Sequence, residues 1–247
     1  VIELPDWLNV KSYRFRARVR PVLFVSVPVA LAVWAWTQAP LDAFSWLLSL
    51  LAAAGVHHAL GEKAADRGRA RQEGLWASWG GAPTTQLLRH RDGTLNPYTL
   101  RHIHEQLARL CPDLSIPTPA DEEADPDRAD AIYAACVDRL RVYTREHPRE
   151  FPNVFDANAE YGRRRNLWAI RSWGVAVALL AIIAASIRLY VSGPETASVV
   201  ALAGSVGFLG WIAAVVRSEW VREAAFLYAH RLLEAVDRIP ALHVAGE

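Results

Sequence analysis

Four groups of side chains in this 247-residue chain have types and spacing that could do chemistry. The first is the run Leu75 to Arg91, LWASWGGAPTTQLLRHR. Gly80 and Gly81 permit close backbone approach, Pro83 fixes a turn, and Thr84 or Thr85 can cap a helix whose N-terminal amides favour an anion. Trp76 and Trp79 could stack on a base, and Arg89, His90 and Arg91 could meet phosphate. The competing reading is a plain helix-loop-helix connection beside membrane-anchoring tryptophans. It carries more weight, because no Walker-type or dinucleotide spacing is present.

The second group is YGRRRN, Tyr161 to Asn166. Arg163, Arg164 and Arg165 entering a membrane helix are worth about 1 kcal/mol each against an anionic leaflet. Topology and headgroup contact therefore outweigh nucleotide recognition, although Arg163, Arg164, Arg165 and Asn166 stay candidate ligand residues. Consecutive helical residues point about 100° apart, so at most two of the three arginines can line one pocket.

Histidines make the third group. His102 and His104, two apart on a helix, face nearly opposite sides and cannot chelate together. His104-Glu105 lacks the second histidine of a zincin motif. The pair His57-His58 could take protons or a metal, but interfacial placement accounts for it. The acidic run Asp121, Glu122, Glu123, Asp125, Asp127 and Asp130 could attract divalent cations, yet an exposed loop running into a helix N-terminus carries acids anyway. The fourth group is a small-residue face, Ala201, Gly204, Ser205, Gly207 and Gly210, suited to close helix packing and to lining a pore between subunits. No nucleophile elbow or triad spacing stands out, so no catalytic residues, no metal and no cofactor are expected.

The elements that must position these groups follow from charge distribution. The chain is 52% hydrophobic with mean hydropathy +0.08 and net charge +1, but residues 21–41, 43–61, 172–187 and 196–216 contain no Asp, Glu, Lys or Arg. Such runs match the ~20 helical residues that cross a ~30 Å hydrocarbon core. The expected fold is all-α: a polytopic membrane protein with four transmembrane helices in two hairpins. A helical cytoplasmic domain sits between the second and third. The divisions are a basic segment 1–21, hairpin 22–61, cytoplasmic domain 62–171, hairpin 172–216 and a C-terminal helix 217–247. The third span must extend to about Gly193, which places Arg188 near its far end, where it can snorkel. The first apolar run is too long for a signal peptide and is followed at once by a second.

Arginine placement orients the spans. Arg14, Arg16, Arg18, Arg20, Lys63, Arg67, Arg69, Arg71, Arg163, Arg164, Arg165, Arg171, Arg217 and Arg222 all flank one side, whereas the opposite turns hold Arg188 alone. Both termini and the central domain should be cytoplasmic. Trp34, Trp36, Trp46 and Tyr190 would mark the outer interface, and Trp168, Trp173 and Trp220 the inner one. The outer turns are too short to bind anything outside the cell.

Residues 62–171 carry 17 Lys or Arg and 17 Asp or Glu, a neutral balance that argues against a dedicated nucleic-acid binder. Asn96 and Pro97 start a helix with Leu100, Ile103, Leu107 and Leu110 on one face. Asp125 and Pro126 start another, striped by Ile132, Tyr133, Cys136, Val137, Leu140 and Tyr143 and ended by His147-Pro148. Pro112 to Asp125 reads as an exposed loop. Another helix begins near Asn153 and runs into the third span without an obvious break. The helix after Arg217 offers Trp220, Leu227, Tyr228, Leu232 and Val236 for packing. Tyr13 to Arg20 alternates apolar and arginine at period two, which suits a strand or strap better than an amphipathic helix. Cys111 and Cys136 form neither a CxxC pair nor a disulfide framework.

Two hairpins enclosing a helical cytoplasmic domain resemble the four-transmembrane effectors associated with nucleotidyltransferases in bacterial antiphage defence, the SMODS-associated group and the Hailong membrane effector among them. SWGGAPTTQLLRH, LNPYTLRHIHEQL and FDANAEYGRRRNLWAIR are similar to stretches in bacterial membrane proteins of this length. The resemblance implies a cytoplasmic sensor for a nucleotide or oligonucleotide signal, coupled to spans that permeabilise the membrane, and a functional link to a nucleotidyltransferase. The expected protein is thus a ligand-gated, pore-forming homo-oligomer, guessed as a tetramer, in contact with membrane lipid. The alternatives are a membrane-anchored adaptor for a protein partner, and an inner-leaflet enzyme built around His57, His58, Arg89 and Glu105.

Overall fold

The computed structural model describes residues 12–37 and 43–239, and for 43–54 the backbone alone. Those residues form helices joined by short turns, with no strand among them: α1 (Phe15–Thr37), α2 (Ala43–Ala70), α3 (Gln72–Trp79), α4 (Pro83–Leu88), α5 (Pro97–Leu110), α6 (Pro119–Ala124), α7 (Pro126–Glu146), α8 (Pro152–Ala169), α9 (Arg171–Ser192), α10 (Thr196–Val215) and α11 (Ser218–Glu234), closed by a 3₁₀ turn Ala235–Arg238. Three described helices, α1, α9 and α10, are long and apolar enough to cross a membrane. The expected second span falls in α2, but its side chains up to residue 54, Trp46 included, and the turn 38–42 lie outside the described residues.

The chain divides into two compact units, Val1–Gln72 with Ala159–Val221, and Glu73–Asn158 with Arg222–Glu247. The first unit reaches further along the chain than the uncharged runs because the charged ends of α2 and α8 pack on the start of α1.

In the first unit, α1 packs against α9 and α10. Near the α9–α10 turn the contact is made by Ala35, Ala185, Ala197 and Ala201, small side chains that let helix backbones approach. Gly193 makes that turn with φ +78°, a left-handed conformation that favours glycine. Arg188 has partners within the unit. It pairs with Glu195 at 3.1 Å and lies over the Trp36 ring, while Trp36 donates its indole N–H to Ala184 O at 3.2 Å. At the other end Val22, Val25, Ala64, Leu167, Ile170, Ile212 and Val216 form a larger apolar cluster.

The segment Tyr13 to Arg20 is helical, which decides between the helix and the strand or strap that its alternation left open and favoured. Ser12 Oγ accepts the Phe15 N–H at 3.2 Å and starts the helix, and Phe15–Val19 form one π-helical turn. The alternation fails because only Ala17 and Val19 are buried there, against neighbouring backbones, and not because one strand face is covered. Glycines permit that contact. A Cβ on Gly61 would lie 3.0 Å from Arg18 O, and one on Gly162 would lie 2.9 Å from Tyr13 Oη and 3.0 Å from Ala17 Cβ.

The second unit has a conventional apolar core of Leu87, Leu88, Ile103, Leu107, Leu110, Tyr133, Val137, Leu140, Leu232 and Leu233, with others around them. The expected stripes on α5 and α7 supply most of it. Asn96 caps α5 by accepting the Tyr98 N–H at 2.9 Å, and Asp125 caps α7 by accepting the Arg128 N–H at 3.0 Å. The region expected as an exposed loop holds α6, started by a capping box in which Thr118 and Asp121 bond reciprocally.

The helix before α9 is interrupted, where it was expected to run into the third span without a break, and so is the path from α10 to α11. α8 breaks at Ile170, where φ is −105° and ψ 11°, and Arg71 donates to the carbonyl left at Ala169 at 3.2 Å. α10 breaks at Val216, with φ −80° and ψ 72°. The chain passes between the units at residues 72–73, 158–159 and 221–222, each time inside a helix: α3, α8 and α11.

Candidate functional site

In the second unit the segment Trp79 to Arg91 is drawn into a buried polar network. Gly80 and Gly81 have φ +91° and +125°, and this left-handed turn places their carbonyls for use. Arg89 Nη1 donates to Gly80 O at 2.9 Å, and Gln86 Nε2 donates to Gly81 O at 2.6 Å. Thr84 and Thr85 do not cap α4. Ala82 occupies the cap position, Pro83 is the first helical residue, and both threonines lie buried inside this six-residue helix.

Both candidate phosphate-binding arginines face carboxylates. Arg89 makes a two-pronged contact with Asp130, Nε to Oδ1 at 2.9 Å and Nη2 to Oδ2 at 2.5 Å. Arg91 reaches Glu122 at 2.9 Å and Asp130 at 3.3 Å. Glu122, only 3% exposed, is the hub. It accepts the backbone N–H of His90 at 2.9 Å and of Arg91 at 3.2 Å, and the Tyr133 hydroxyl at 3.0 Å. Burial works to raise the Glu122 carboxyl, but those donors and the Arg91 charge outweigh it and hold it below its ordinary value. Burial and the same carboxylate push the Tyr133 phenol up.

Two histidines line this network. His90 Nε2 donates to Pro117 O at 3.0 Å, and His104 Nε2 donates to Leu88 O at 2.8 Å. The rings meet edge to face, with centroids 4.8 Å apart, and His104 stacks on Tyr133 at 5.5 Å. Burial lowers the His104 pKa below 6.5; the Leu88 carbonyl and Glu122 oppose the shift, and His90 adds to it. His102 points away from His104, as their spacing requires, and meets Asp237 at 2.6 Å.

These shifts give a signed pH dependence. Below about pH 6.5 the unfolded chain binds a proton at His104 that the folded chain resists, so stability falls. The Glu122 contribution is fully present above its unfolded value of about 4.3 and is lost as pH falls on through its lowered folded value. Thermal unfolding is therefore expected to move to lower temperature between pH 7 and 5, with a shallower slope in His104→Gln. Identical slopes in the two proteins would count against the buried neutral imidazole.

In the first unit the three consecutive arginines are held in two different ways. Arg163 and Arg164 both grip Glu160, at 2.6 and 2.8 Å, and both lie over the Trp220 ring. Burial would raise the Glu160 carboxyl, but hydrogen bonds and charge from the two arginines hold it at about 2. Arg165 is buried. It contacts Gln72 Oε1, donates to Asn166 Oδ1 at 3.2 Å and lies over Tyr161. Asn166, 1% exposed, donates from Nδ2 to Ala17 O at 2.8 Å, inside the π-helical turn. A Cβ on Gly68 would overlap Asn166 Oδ1. Arg165 and Asn166 thus lock α8 to α1, α2 and the start of α3.

The expected inner tryptophans each carry a cation: Arg67 over Trp173, Arg71 and Arg171 over Trp168, and Arg163 and Arg164 over Trp220. His57 lies 3.0 Å from Ser26 Oγ on α1. Cys111 and Cys136 are both buried, and burial with the neighbouring Cys111 raises the Cys136 thiol to about 12. It is a poor nucleophile for that reason. Glu105 is exposed on α5.

The small-residue face of α10 divides in two. Ala201 and Ser205 are fully buried within the unit, and a Cβ on Gly204 would lie 2.7 Å from Leu31 Cδ1. Gly207 and Gly210 are exposed, and a Cβ on either would meet nothing within 4 Å. Sequence reasoning placed Glu122 and Asp130 only in an acidic run, missing their pairing with Arg89 and Arg91, and it gave Gly68 no role. Asp130 carried a usable signal, since it lies four residues beyond Pro126 at the helix start. Comparison with protein-family models, curated proteins and solved structures found no match.

Proposed function

We propose that the chain is a four-span protein of a bacterial inner membrane with both termini in the cytoplasm. It works as a non-enzymatic, oligomeric effector that changes membrane permeability in response to a signal received on the cytoplasmic side. The observation that carries this reading is the divided face of α10. Ala201, Gly204 and Ser205 hold the protomer together, while Ala203, Gly207, Gly210 and Ala214 form an exposed stripe at spacings of four, three and four. Exposed small residues on a span allow another helix to approach closely, and a second copy of the same span is the fitting occupant.

A ligand with acceptor groups is supported by Trp76 and Trp79, whose indole N–H groups are buried without an acceptor among the described residues. Both lie on the helix that leads into Gly80 and Gly81. The role in antiphage defence rests on the likeness of layout.

The test of assembly is disulfide cross-linking in native membranes. Gly207→Cys and Gly210→Cys are expected to give covalent dimers or a ladder, while Leu180→Cys on the exposed side of α9 gives little. No cross-link at either glycine, with a monomer in mild detergent, would remove the pore reading. A second reading, a membrane-anchored adaptor for a cytoplasmic protein, is favoured by the pairing of Arg89 and Arg91 with Asp130 and Glu122. One stoichiometric partner recovered without any conductance would select it.

A further inference from the structure

An open groove of about 570 Å³ lies along the first span, lined by Phe15, Arg20, Leu23, Phe24 and Val27 of α1 and by Glu160 and Arg163 of α8. Arg20, Leu23, Phe24 and Val27 fall at i, i+3, i+4 and i+7, so they form one helical stripe with the cation at its charged end. Leu23, Phe24 and Val27 are each about two-fifths exposed. Arg20 is exposed, has no carboxylate partner among the described residues, and lies 5.7 Å from the Phe15 ring centroid.

We infer that this groove seats one anionic phospholipid, its phosphate on Arg20 and Arg163 and one acyl chain along Leu23, Phe24 and Val27. The charges agree. Glu160 is ionised but already bonded through both oxygens to Arg163 and Arg164, so the rim is left positive with Arg20 turned outward. The geometry agrees as well. From Arg20 to Val27 the helix descends about 10 Å, the step from the phosphate level into the upper acyl chains. An apolar wall below a cationic rim fits a lipid and not a soluble anion. Phe24 stacks on Trp211 of α10, with centroids 6.1 Å apart, so the seated chain would lie against a ring that touches the span with the divided face. The inference rests on α1 crossing the membrane and is independent of any pore.

The test is native mass spectrometry of the full-length chain released from nanodiscs of mixed phosphatidylglycerol and phosphatidylcholine. The wild type is expected to retain one phosphatidylglycerol in several-fold preference to phosphatidylcholine. Arg20→Gln should abolish the preference and Arg20→Lys should keep part of it. Val27→Trp, which fills the groove without changing charge, should lower retention of both lipids. Arg101→Gln, on α5, is the control. Inorganic phosphate at equal concentration should not displace the lipid. Unchanged preference in Arg20→Gln, unchanged retention in Val27→Trp, or displacement by inorganic phosphate would overturn the assignment. Because Arg20 and Val27 are exposed, the thermal stability of these variants in neutral detergent should match the wild type, which separates lost binding from lost folding.

Discussion

Gly68→Ala is expected to lower the stability of the first unit by about 2–6 kcal/mol, a large effect for one methyl group. The added carbon would overlap Asn166 Oδ1 and sit 3.2 Å from Arg165 Nε. Neither group can step aside. Asn166 is held by its bond to Ala17 O at 2.8 Å, and Arg165 by Gln72 and the Tyr161 ring. Overpacking costs about 1–3 kcal/mol, and displacing Asn166 adds about 1–3 kcal/mol for buried donors and acceptors left without partners. A double-mutant cycle isolates the contact. Asn166→Ala alone should be destabilising, but Gly68→Ala on that background should be nearly neutral, as alanine suits a helix better than glycine. Equal losses from Gly68→Ala in both backgrounds, followed by thermal unfolding in detergent, would show that the clash lies elsewhere.

Glu122→Leu should be the most damaging single change in the second unit, at about 3–5 kcal/mol, because it strands the Tyr133 hydroxyl and two backbone N–H groups, each costing on the order of 1–3 kcal/mol where water cannot reach it. Its carboxylate serves two backbone N–H groups, the Arg91 guanidinium and the Tyr133 hydroxyl. Glu122→Gln keeps one acceptor oxygen without the charge and should fall between wild type and leucine. Thermal unfolding followed by near-ultraviolet circular dichroism reads both. If leucine and glutamine variants melt alike and close to the wild type, Glu122 is not the hub described.

The sequence made the local features legible and left the long-range ones hidden. The stripes of α5 and α7, their caps at Asn96 and Asp125, and the ends of α9 and α10 could be read because each depends on residues within a few positions. The role of Glu122 could not. It sits among acids that look alike in sequence, and its burial is decided by Arg91 and His90, about thirty residues away. Arg89 and Arg91 read as phosphate ligands for the same reason, since Asp130 lies on another helix. Gly61, Gly68 and Gly162 gave no signal, because a glycine in a helix looks like a weak point until the neighbouring backbone is known. The helix at Tyr13 to Arg20 stayed undecided in the sequence because its alternation reflects arginines with separate partners, such as Arg18 with Glu62 at 2.5 Å, and not one covered face.

The central claim is that copies of this chain assemble through the free side of α10 and open the membrane under cytoplasmic control. Its most direct test is ion conductance of the purified full-length protein in phosphatidylglycerol-containing vesicles, with and without a panel of cyclic dinucleotides and short oligonucleotides on the cytoplasmic face. The account predicts a multi-subunit species whose conductance changes with at least one of these signals and is lost when Gly207 and Gly210 are both replaced by leucine. A monomer that leaves the membrane potential unchanged under every signal would contradict it.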